Sequence, residues 1–140
     1  MKKKGQFNTQ LSKNIMYILF FLVFFSALFY FILRYQNGVV VWEEFYASEI
    51  ANLINNAEPG SEIILDVSLA TELAFKSGIR DFNSIFNFNN EQNIVSVTLG
   101  KSGGTSYSFF NNVEVREWRV EEAYQGTEIN RLVFLIGEKR

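Results

Sequence analysis

The feature that most constrains this chain is the apolar run over residues 15–33, IMYILFFLVFFSALFYFIL. It carries nineteen residues without a charge, and its only polar interruptions are Ser26, Tyr17 and Tyr30. At about 1.5 Å per residue a helix of this length spans roughly 28 Å, close to the hydrocarbon thickness of a bilayer. Such a helix is apolar on every side, and the rest of the chain is too short to cover it as a core helix. A cleaved secretory signal has a shorter apolar region, about 7–15 residues, followed by small residues. Here the run leads instead into Phe31, Ile32, Leu33, Arg34 and Tyr35. The run therefore reads as a retained transmembrane helix, with the lipid bilayer as the chain's first partner.

Charge sets the expected orientation. Lys2, Lys3, Lys4 and Lys13 precede the run without an acidic residue, whereas the far flank offers Arg34 and then Glu43, Glu44 and Glu49. The excess of basic residues before the run places the N-terminus in the cytoplasm and the remainder outside. From residue 36 onward there are 8 basic and 15 acidic residues, a net charge of −7. A surface of that sign repels phosphate backbones, so no nucleic-acid partner is expected.

The chain has no Cys and no His. Disulfides, thiol or imidazole nucleophiles, and zinc sites built from the usual ligands are thereby excluded. An outer domain of this size must draw its stability from aromatic and β-branched packing.

Beyond the membrane run, Gly38 is a candidate break. Helical spacing resumes with Trp42, Tyr46, Ile50, Leu53 and Ala57, flanked by Phe45 and Ile54, and with Glu43, Glu44, Ser48, Asn52 and Asn55 on the opposite face. This predicts an amphipathic helix that Pro59 and Gly60 terminate. The spacing alone leaves open whether it continues the membrane helix as one rod or meets it at an elbow. Residues 62–67 then read as a strand, with Ser68 as N-cap of a short helix over 69–76 and Gly78 as its stop. Strands are expected at 84–88, 93–99, 105–110, 113–120 and 131–136. Asn89-Asn90-Glu91-Gln92, the stretch from Gly100 to Gly104, and Asn111-Asn112 read as turns between antiparallel neighbours. The alternation slips phase between Val115 and Trp118, which predicts a β-bulge.

Few residues point to chemistry. Gly100-Lys101-Ser102 has the ending of a phosphate-binding loop, but Val95 stands where the earlier glycine is needed and strand sequence follows, so it reads as a hairpin loop. Glu43/Glu44 and Glu121/Glu122 are adjacent pairs, read as solvated charges rather than as acid–base partners facing across a cleft. Asp66, Asp81 and the asparagines from Asn87 to Asn93 offer oxygen ligands without a calcium-loop pattern. Trp42, Tyr46 and Tyr107-Ser108-Phe109-Phe110 read as core, with an assembly surface as the alternative. No catalytic residues, cofactor, metal or small-molecule substrate are expected.

The N-terminus Met1-Lys2-Lys3-Lys4-Gly5-Gln6, followed by a hydrophobic helix, an amphipathic continuation and a β-rich outer domain, resembles archaeal type IV pilin-like proteins with a class III, prepilin-type signal. The resemblance implies cleavage at the cytoplasmic face after Lys4 and Gly5, leaving Gln6 as the new N-terminus, and a helix that serves as anchor or filament core. The expected layout is a basic cytoplasmic N-terminus (1–14), a transmembrane helix (15–33), a juxtamembrane amphipathic helix (34–59) and a β-rich extracytoplasmic domain (60–140). The fold class is α+β, with the transmembrane helix continuing into the amphipathic helix, which packs on a small antiparallel sheet. The expected function is that of a non-catalytic, single-pass cell-envelope protein of pilin-like architecture, whose partner is itself or another membrane protein. The alternative is a membrane-anchored binding module or an accessory subunit of a larger membrane complex.

Overall fold

A computed structural model describes residues 3–35, 38–101, 103–123 and 129–140, the side chains of 3–8 and 34–35 excepted. The chain divides into two units, Met1–Asn37 and Gly38–Arg140. The first is one helix, α1 (Lys3–Tyr35). Its stretch Thr9–Leu33 contains an eighteen-residue window of mean hydropathy 2.6 and is long and apolar enough to cross a membrane. Every residue of that stretch is exposed, and Phe20 and Phe24, like Phe21 and Phe25, stack one turn apart along it.

The second unit runs α2 (Val39–Asn55), β1 (Glu62–Asp66), α3 (Ser68–Lys76), a 3-10 turn (Phe82–Ile85), β2 (Phe86–Asn89), β3 (Ile94–Val97), β4 (Thr105–Ser108), β5 (Val113–Glu121) and β6 (Arg131–Glu138). It is α+β with antiparallel pairing throughout, as its periodicities predict. Gly38 caps α2 at φ 62, ψ −5, a left-handed conformation that glycine adopts without a Cβ penalty. Helices α1 and α2 are separate elements, and residues 36–37 between them lie outside the described residues.

The strands form two three-stranded sheets rather than one, in the orders β1-β6-β5 and β2-β3-β4. Two of the three expected turns make hairpins: residues 90–93 join β2 to β3, and the Gly100–Gly104 stretch joins β3 to β4. Asn111-Asn112 does not, because β4 and β5 lie in different sheets and this segment carries the chain between them. The closing strand β6 is central, paired with the chain-distant β1 on one side and β5 on the other. The bulge is present, with the β5–β6 register shifting between Val115 and Glu117.

The core is one cluster drawn from both sheets and both helices of this unit. Ala47, Ile50 and Ile54 of α2 meet Val95, Val97 and Leu99 of the β3 segment, Val67, Ala70 and Ala74 around α3, and Leu132, Phe134 and Ile136 of β6. Phe88 ties the sheets together, its ring 5.6 Å from both Trp118 and Phe134.

Two local expectations need correction. The buried stripe of α2 is Glu43, Tyr46, Ala47, Ile50, Ala51 and Ile54, whereas Leu53 is only partly covered and Phe45 is exposed. Small alanines let the sheet approach closely, which rotates the helix from the face that its largest side chains mark. At α3, Ser68 is the first helical residue rather than the cap. The Asp66 carboxylate accepts from the Ser68 N–H at 2.9 Å and from its hydroxyl at 2.7 Å, and the Ser68 hydroxyl accepts from Asn130 N–H at 3.0 Å.

Candidate functional site

The two adjacent glutamates of α2 have opposite fates. Glu43 is 3% exposed, and its Oε1 accepts hydrogen bonds from Leu99 N–H at 2.7 Å and Gly100 N–H at 3.3 Å. It is a clamp between α2 and the start of the β3–β4 loop, not the solvated charge its sequence position implied. Helical geometry puts Glu44 100° further round, in the open, where it accepts from the Tyr107 hydroxyl at 3.3 Å. That carboxylate pushes the Tyr107 phenol above its ordinary pKa, since a second negative charge beside it is unfavourable. The pair faces no common cleft, and one member is committed to backbone amides.

The Gly100-Lys101-Ser102 string lies in the β3–β4 hairpin connection, as expected, with Ser102 outside the described residues. Gly104 sits at φ 126, where a β-carbon would meet the Thr98 hydroxyl at 2.5 Å, so the turn needs glycine for space and for conformation. In the second acidic pair, Glu121 binds Arg119 at 2.8 Å and Glu122 is exposed.

The side chains that offer oxygen ligands to a cation are occupied locally. Asp66 holds Ser68, Asp81 caps the 3-10 turn by accepting from Asn83 N–H at 3.0 Å, and Asn89 accepts from Gln92 N–H at 3.0 Å. The hydrogen bonds from Ser68 hold the Asp66 carboxyl below its usual value. Among the described residues, no group of three or more acidic side chains is placed to hold a metal ion.

Asparagines that read as turn residues (Asn90, Asn111) or as part of a polar helix face (Asn55) carry tertiary contacts. The Asn90 amide donates to the Val115 carbonyl and accepts from Val115 N–H, both at 2.9 Å, and so clasps the bulged strand of the other sheet. Asn55 at the end of α2 accepts from Phe110 N–H at 2.6 Å and Asn111 N–H at 3.2 Å. Asn111 in turn donates to the carbonyls of Ile54 and Ala57 at 2.9 and 2.8 Å. The only sequence signal for these roles was the density of asparagine itself, which also fits solvated turns.

The aromatic set divides. Tyr46 and Phe109 are core, and burial raises the Tyr46 phenol above its ordinary pKa. Trp42 is half-buried, Tyr107 is 37% exposed, and Phe110 stands 87% exposed on the loop fixed by Asn55 and Asn111. Near that loop Leu53, Asn56, Ala57, Glu58, Ser61 and Ile63 line an open groove of about 410 Å³. Among the described residues every buried polar side-chain atom has a partner.

Lys4, Gly5 and Gln6 lie in the first turns of α1 by their backbone. Comparison with family models, with characterised proteins and with solved structures finds no match to this chain.

Proposed function

We propose that this chain is a single-pass membrane protein of the cell envelope, N-terminus inside, whose outer unit acts through assembly rather than catalysis. The observation that carries the reading is the complete exposure of Thr9–Leu33, with its long apolar run, while the second unit has its own core. Monomeric proteins rarely show water contiguous apolar patches beyond a few hundred Å², and a cylinder formed by the nineteen-residue run 15–33 far exceeds that. Lipid satisfies it, because a helix makes all its backbone hydrogen bonds internally.

The finer reading is pilin-like. Lys4, Gly5 and Gln6 supply the composition of a prepilin-type cleavage site ahead of the apolar helix. Gln10 occupies the fifth position after that cut, where pilins carry glutamate, and Lys13 remains ahead of the apolar run. Burying Lys13 unpaired in a filament core is costly. The cleaved form is therefore expected to stay mainly in the membrane. Intact mass of membrane-extracted wild type and Gly5→Leu tests this: a wild-type mass starting at Gln6, lost in the variant, supports processing. Identical full-length masses remove the pilin reading and leave the anchor. Abundant cleaved protein in sheared filaments would show that polymerisation is the main role.

The second reading, an anchored binding module, is favoured by Phe110, an aromatic side chain exposed on a loop held by four hydrogen bonds. Aromatic anchors on rigid supports are typical of binding hot spots. Co-purification of another membrane protein with wild type, lost in Phe110→Ser, supports it.

A further inference from the structure

The first turns of α2 carry an apolar surface that the core does not use. Val41 is 56% and Phe45 49% exposed, one turn apart on the same face. The Trp42 ring meets Phe45 edge-on at 5.5 Å, and Phe45 meets the buried Tyr46 at 5.4 Å, so the aromatics step outward from core to surface. Cations stand beside this end of the unit. Gly100 lies against the Val39 side chain, and the end of the neighbouring Lys101 side chain lies against Gly78. Two residues on, the Arg80 guanidinium stacks over the exposed Phe75 ring at 4.1 Å. Among the described residues neither Lys101 nor Arg80 has an acidic side chain within ion-pair distance, unlike Lys76, Arg116 and Arg119.

We infer that this end of the outer unit docks on the headgroup layer of the bilayer, with Val41, Trp42 and Phe45 entering the interface and Lys101 and Arg80 reaching lipid phosphates. The inference rests on the reading of α1 as a membrane anchor. Val41 lies only eight positions beyond Leu33, the end of the apolar stretch. Fully extended, eight steps reach at most about 28 Å, so the patch cannot leave the neighbourhood of the surface. Aromatic rings with a polar edge and long cationic side chains are the groups that settle at this depth. Exposed Glu44 and the net acidity of the unit oppose attraction to anionic lipid, so apolar insertion is the driving term and a zwitterionic surface suffices.

The test uses the full-length chain in phosphatidylcholine proteoliposomes. Trp118→Phe leaves Trp42 as the sole tryptophan, and Trp42→Phe leaves Trp118. Lipids brominated near the headgroup should quench Trp42 emission at least two-fold, leave Trp118 unchanged, and lose at least half of the Trp42 effect in Val41→Asp. Because the chain has no cysteine, a fluorophore on Phe45→Cys gives the same reading with both tryptophans in place, and one on Phe110→Cys reports the far end of α2. Docking is overturned if the protein floats with the vesicles after a urea wash yet Trp42 is no more quenched than Trp118, or if labels at 45 and 110 respond equally. Shielding of Trp42 that follows protein density but not bromine would assign the patch to a second copy and overturn it too. Loss of the protein from floated vesicles would instead refute the anchor itself, and docking with it.

Discussion

Replacing Glu43 separates a structural carboxylate from a decorative one. The Leu99 amide that it accepts belongs to a residue with 0% exposure, so no water can replace the bond. A hydrogen bond to a charged group contributes about 1.5–3 kcal/mol, and an orphaned buried amide costs about 1–3 kcal/mol. Glu43→Ala, which also removes packed methylenes, should destabilise the outer unit by about 3 kcal/mol. Glu43→Leu fills the space without an acceptor and should cost about 2 kcal/mol. Glu43→Gln keeps an acceptor oxygen but loses the charge, and should cost about 1 kcal/mol. For a unit of 103 residues each kcal/mol moves the melting temperature by about 4–5 °C. The expected shifts are thus about −13, −9 and −4 °C for Ala, Leu and Gln. Near-ultraviolet circular dichroism of the full chain in detergent micelles reads this unit selectively, because both tryptophans lie in it. A Glu43→Ala melt within about 3 °C of wild type, or Gln as damaging as Ala, would refute the clamp.

Asn90→Ala orphans both backbone groups of Val115 that the amide now satisfies, and should cost about 2–3 kcal/mol in the same melt, with faster hydrogen exchange at Val115. Asp66 has a lowered pKa through its bonds from Ser68, so its contribution is full above the ordinary carboxyl value near 3.9 and fades as pH falls through the lowered native value. Wild type should therefore melt above Asp66→Asn at pH 6, and the gap should narrow as pH falls below the ordinary carboxyl value and through the lowered native one. Phe110→Ser removes an exposed ring and should change stability by no more than about 0.5 kcal/mol, which chemical denaturation can verify.

Much of the architecture follows from local sequence. The uninterrupted apolar run of residues 15–33 admits only a helix that water cannot solvate, so α1 was legible without reference to anything else. Period-two alternation located the outer-unit strands to within a few residues, and the phase slip after Val115 marked the bulge, because each side chain's face is set by its own position along the strand. The break at Gly38 was legible as an option, since glycine permits a left-handed cap without requiring one.

Pairing and burial were decided by tertiary structure. Asn111-Asn112 has the composition of a hairpin turn, yet it crosses between sheets, because β6 arrives from the end of the chain to pair with both β1 and β5. Helical spacing grouped Glu43 with Glu44, Ser48 and Asn52 as polar. Which of these enters the interior depends on where the unpaired amides of Leu99 and Gly100 lie, more than fifty residues away. The same holds for Asn90 and Val115. A polar side chain is buried only when a partner meets it, and that partner's position is a property of the assembled fold, whereas the apolarity of α1 is a property of the segment itself.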